Sequence, residues 1–118
     1  MDTHMTSDSL LTSVLAILAD SKALDIQTLD VHALTTITDT MIVCSGNSAR
    51  HVNAISEHIL DGLKDHKKEI LGVEGKEDGE WVLVDLGRIV VHIMRPEARD
   101  FYQLEKLWEA TRKARQED

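Results

Sequence analysis

The chain of 118 residues has one cysteine, one proline and six glycines, and its acids outnumber its bases by 21 to 13. Each scarcity excludes something. A lone Cys44 cannot form an internal disulfide, which fits a reducing compartment. No apolar run approaches the roughly 20 residues that a bilayer span needs. The start, MDTHMTSDS, has no basic segment followed by an apolar one. The expectation is therefore a cytoplasmic protein with no secretory signal and no membrane partner. A net charge of −8 opposes contact with phosphate backbones, so nucleic acid would need a compact basic patch. The bases are scattered, apart from Lys67-Lys68 and the group Arg112, Lys113 and Arg115. A basic protein or a small molecule suits such a surface better.

What is present reads as one globular domain over 1–118, with the first eight residues expected to be flexible. The composition is 42% hydrophobic and 29% charged, enough for one real core. Residues 8–22 have apolar side chains at helical spacing, with Asp8 or Ser9 as cap. Residues 25–31 alternate as a strand, 32–39 form a polar loop, and 40-TMIVCS-45 is a compact β-branched strand. Gly46-Asn47-Ser48 then opens a helix whose buried stripe is Val52, Ile55, Ile59 and Leu63. The polar run 64–69, a short strand at 70–74 and a solvated turn at 75–80 follow. The single proline, Pro96, fits the first position of a helix over 96–115, with Phe101, Leu104, Leu107 and Trp108 inward. The order is α-β-β-α-β-β-β-α: an α/β fold with one mixed sheet of about five strands and helices mainly on one face.

The stretch 80-EWVLVDLGRIVVHIM-94 reads as a two-residue hairpin about Gly87-Arg88, with glycine first as in a type II′ turn. Val82, Val84, Leu86, Ile89, Val91 and Ile93 then share an apolar face. Trp81, Leu83, Asp85, Val90, His92 and Met94 share the other. A sheet buried on both sides should be apolar throughout, so this second face must be partly accessible. Two readings stay open from the residues alone. In one, Trp81 and Met94 pack under a loop while Asp85 and His92 reach water. In the other, the face docks a partner, with tryptophan as anchor and methionine as an adaptable contact. Glu74, Glu77, Asp78 and Glu80 would then form an acidic rim that steers a basic partner.

Catalytic and metal readings are weaker. His51 and His58 lie two helical turns apart, but a zinc site needs three or four placed ligands, and no such spacing is present. Cys44 sits in an apolar strand, where a thiol is a small hydrophobe. Asp30, Asp39 and Asp85 form no D-x-D pair, and 45-SGNS-48 lacks the following lysine of a phosphate loop. No cofactor is expected.

Four motifs in order, 38-TDTMIVCSGNSARHV-52, 72-GVEG-75, 81-WVLVDLGRIVVHIM-94 and 101-FYQLEKLW-108, resemble those of the ribosomal silencing factor (Iojap-like) family. The resemblance covers about residues 10–110. It implies a sheet related to the nucleotidyltransferase-like fold without transferase activity, so not an enzyme. It implies binding to the large ribosomal subunit through its fourteenth protein (uL14). Occupancy there would block subunit association and repress translation under nutrient limitation or in stationary phase. It places partner binding on Trp81, Leu83, Asp85, His92 and Met94, with Glu74 beside them. Direct rRNA contact would be minor or absent. Two rivals stand beside this: a nucleotidyltransferase or hydrolase using Asp85 and His92, and a face that makes a homodimer of the free protein.

Overall fold

A computed structural model describes residues 6–33 and 38–102. The elements are α1 (Ser7–Asp20), β1 (Leu24–Asp30), β2 (Thr40–Ser45), α2 (Ala49–Gly62), a 3-10 turn (Lys64–Glu69), β3 (Gly72–Glu74), β4 (Trp81–Asp85), β5 (Ile89–Met94) and α3 (Pro96–Tyr102). The order read from the sequence holds, with the polar run 64–69 coiling into the 3-10 turn. Residues 1–5, 34–37 and 103–118 fall outside the description. So do the expectations placed on the side chain of Phe101, on Leu104, Leu107 and Trp108, and on the far half of the last helix.

The strands form one sheet in the order β1-β2-β5-β4-β3. β2 and β5 run parallel at its centre, and the other three pairs are antiparallel. Pairing in the hairpin is Trp81 with Met94, Leu83 with His92 and Asp85 with Val90, as the two-residue turn requires. Gly87 takes φ +78°, the left-handed region that glycine enters at no steric cost. The Leu86 N–H donates to the Ile89 carbonyl at 2.9 Å and closes the loop. At the outer edge, β1 carries a bulge between Leu24 and Gln27, where Asp25 has φ +48°.

Helices α1 and α2 cover one face. Leu10, Val14 and Leu18 of α1 and Val52, Ile55 and Ile59 of α2, with Leu63 just beyond it, pack on Ile42, Cys44, Val82, Val84, Leu86, Ile89, Val91 and Ile93. Ser48 caps α2 by accepting the His51 N–H at 3.1 Å. The α1 cap differs from expectation. Thr6, not Asp8 or Ser9, accepts the Ser9 N–H at 3.1 Å, because the helix already begins at Ser7. A smaller cluster lies on the opposite face, where Val31, Met41, Val43 and Met94 are joined by Leu29, Trp81 and Ala98 of α3. α3 therefore closes one end of that face. The Arg99 guanidinium donates to Ser45 Oγ at 3.1 Å and ties it down.

Candidate docking face

Strand pairing sets three rows of side chains across the face away from α1 and α2. One row is Glu74, Leu83, His92, Val43 and Gln27. A second is Gly72, Asp85, Val90, Met41 and Leu29, and a third contains Trp81, Met94 and Ser45. The rows explain the mixed composition. Toward β2 the side chains are buried: Met41, Val43, Ser45 and Met94 see almost no solvent. Toward β3 they open. Trp81, Leu83, Asp85 and Val90 are half-buried, and Glu74 is exposed.

An open groove of about 290 Å³ lies at that open side, lined by Glu74, Gly75, Trp81 and Leu83. Gly75 is needed there. Its φ is +90°, and a Cβ added to it would stand 2.1 Å from the Trp81 carbonyl oxygen. The turn that follows is held to α2 by an ion pair of Lys76 with Glu57. At its end Glu80 pairs with Arg95 at 3.0 Å, so one acid of the rim is partly neutralised. Glu74, Glu77 and Asp78 stay exposed.

The six residues singled out in the sequence therefore fall into two groups. Trp81, Leu83 and Glu74 line the groove together. Asp85, His92 and Met94 stand around or beneath them. The Asp85 carboxylate accepts the Gly87 N–H at 2.9 Å, so it holds the hairpin turn as well as facing outward. His92 is 8% exposed, so it neither reaches water freely, as the loop-cover reading expected, nor offers a partner much surface, as the docking reading expected. Its Nδ1 accepts the Trp81 Nε1–H at 2.9 Å. Burial pushes its pKa down from 6.5 to about 4, so the ring is neutral at physiological pH. Met94 is fully buried and offers no surface in this conformation; it supports Trp81 from below. Sequence reasoning missed Gly75 as a groove wall and Arg95 as the partner of Glu80. The positive φ at Gly75 has no local signature beyond the glycine itself.

His51, His58, Cys44 and Asp30, weighed above for metal or catalytic roles, are engaged elsewhere. His51 accepts the Asn47 N–H on Nδ1 at 2.9 Å, and its Nε2 bonds the Ser21 carbonyl at 2.9 Å. His58 Nδ1 and Ser21 Oγ lie 2.8 Å apart. The two histidines do share a helix face, and they use it to fasten the end of α1 to α2. Burial raises the Cys44 thiol to about 12, which keeps it protonated and unreactive. Asp30 pairs with His32, away from Asp85. Among the described residues, no group of three or more His, Cys, Asp and Glu is placed to hold a metal ion.

The fold is thus a one-sided α/β sheet whose open side, away from α1 and α2, carries an aromatic groove with acids beside it. A family model described as "Ribosomal silencing factor during starvation" matches residues 4–118. The chain is 46% identical over 87 residues to the ribosomal silencing factor RsfS of Haemophilus influenzae, covering 74% of this chain and 85% of that one. It is similar to a crystal structure of a Chromobacterium violaceum protein, with TM-score 0.85 and 42% identity over 89% of this chain and 88% of the other. A mouse relative, 35% identical over 98 residues, is named for mitochondrial assembly of the ribosomal large subunit; the match covers 80% of this chain and 43% of the relative. The chain belongs to the ribosomal silencing factor family.

Proposed function

We propose that this chain docks its uncovered sheet face on the fourteenth protein of the large ribosomal subunit and so prevents the small subunit from joining. The observation that carries the reading is the groove of Trp81, Leu83, Gly75 and Glu74, where apolar area is accessible beside exposed acid. Ribosomal proteins are generally basic, and complementary charge speeds and orients their encounter with such a surface. With a net charge of −8, rRNA contributes little to the contact. The relative named for large-subunit assembly supports that subunit as the partner. The mechanism is steric: one folded domain, acting in the cytoplasm, occupies the subunit interface and represses translation when nutrients run short. No step is catalytic. Self-association of the free protein through the same face would compete with docking.

The test mixes purified bacterial large and small subunits with the protein and follows joining by sedimentation. Joined ribosomes should fall as the protein is added, and the protein should sediment with large subunits and not with small ones. Unchanged joining at saturating protein would overturn the reading. Replacing Trp81 with Ala should weaken large-subunit binding by about 2 kcal/mol or more, as truncating an interface anchor does.

A further inference from the structure

Trp81 is the largest side chain on the candidate face, and the way it is held differs from the way its neighbours are held. An indole N–H can only donate, so His92 Nδ1, 2.9 Å away, must be an unprotonated acceptor. The ring of His92 therefore carries its proton on Nε2. The two ring centroids are 5.7 Å apart with their planes inclined by 46°, so the contact is made through the hydrogen bond and not by stacking. His92 is itself fixed. It lies on β5, the middle strand of five, directly between Leu83 of β4 and Val43 of β2. Trp81 lies on β4, one strand from the edge, and is half-buried in the wall of the groove. A rigid group at the sheet centre thus holds a large group nearer its margin. An indole without that hold would be freer among its rotamers, and binding would have to select one of them.

We propose that His92 is a positioning residue for docking, which through Nδ1 fixes the Trp81 indole as a wall of the groove before any partner arrives. The proposal rests on the docking reading above, and it assigns His92 a role exerted through Trp81 and not through contact with the partner. A core histidine that merely filled space would not depend on the indole N–H.

The experiment measures binding of the full chain to purified large subunits for a set of variants, with folding checked by circular dichroism. His92→Phe keeps the ring volume but removes the acceptor, and should weaken binding about fivefold, what one such hydrogen bond contributes. His92→Asn places a carbonyl oxygen where Nδ1 stands and should recover most of that loss. In a Trp81→Phe background, which has no indole N–H, His92→Phe should change nothing further. Wild-type affinity for His92→Phe would overturn the proposal, and so would an equal loss in both backgrounds. A second readout needs no variant: the Trp81 indole N–H should exchange with solvent more slowly than that of a free indole, and exchange at the free rate would overturn the proposal. The two readings fail differently. If Trp81→Ala binds as wild type, the docking face is wrong; if Trp81→Ala weakens binding and His92→Phe does not, only the positioning role is wrong.

Discussion

The two faces of the sheet are built on the same five strands and are finished differently. On the helix-covered face, Val82, Val84, Val91 and Ile93 are all fully buried, and two helices supply the other half of the core. On the opposite face, α3 closes over Met94 and Ser45, while Trp81, Leu83, Asp85 and Val90 remain half-buried. The difference shows how a small domain can divide its labour. One face supplies stability through dense apolar packing, and the other keeps accessible area at a modest cost because its partly buried groups are hydrogen-bonded. His92, Trp81 and Asp85 are each satisfied in this way.

That division can be broken from either side. The largest effect is expected on the covered face. Ile93→Ala should destabilise the fold by about 2–5 kcal/mol, the range for emptying a core site, measured by urea denaturation. A loss no larger than that of Asp85→Ala would mean that the covered face does not dominate the stability.

The second effect is a pH dependence confined to the open face. The pKa of His92 is lowered by burial to about 4 in the fold, against 6.5 for an unperturbed histidine. Between these values the unfolded chain binds the extra proton. Stability should therefore be full above about pH 6.5 and fall as the pH drops toward 4, with a slope of at most about 1.4 kcal/mol per pH unit from this group. The protonated ring also loses its acceptor for Trp81. Denaturation curves of wild type and His92→Phe across that window should diverge, since the variant lacks this titration; parallel curves would show that His92 is not the group responsible.

The smallest effect concerns the turn. Asp85→Ala should lower stability by about 1 kcal/mol through loss of the hydrogen bond to the Gly87 N–H, while Asp85→Asn, which keeps an acceptor, should lower it less. Equal losses in the two would separate the turn from the carboxylate. This pair is also the control for any charge reversal at Asp85, where a change in docking would otherwise be confused with a loosened hairpin.

Much of this was legible along the chain because it is local. Alternation in 81–86 and 89–94 separated the faces, and Gly87 set the register that pairs Leu83 with His92. The stripe Val52, Ile55, Ile59 and Leu63 is wholly buried, as its spacing required. Pairing across the sheet centre was not legible. β2 meets β5 in parallel after 43 intervening residues, and no short-range pattern records that register. The Met41 and Val43 contribution to the open face depends on it, and so does the burial of His92. The bond from Trp81 to His92 is diagonal, since Trp81 sits directly opposite Met94. Counting opposite pairs does not find such a contact, although long aromatic side chains readily make it. The acids of the rim were visible as residues, but the pairing of Glu80 with Arg95 needed the close of the hairpin.

The bulge in β1 has a bearing on how such a surface stays selective. An open sheet has two flanks with unpaired backbone groups, and each is a template for adding strands without limit. Here one flank is interrupted by the bulge and by Asp25 at φ +48°, and the other is a strand of only three residues ending in Glu74. Neither offers a long straight ladder to another chain. The protein can thus expose apolar area broadside while its margins discourage the strand-by-strand growth that ends in a fibre.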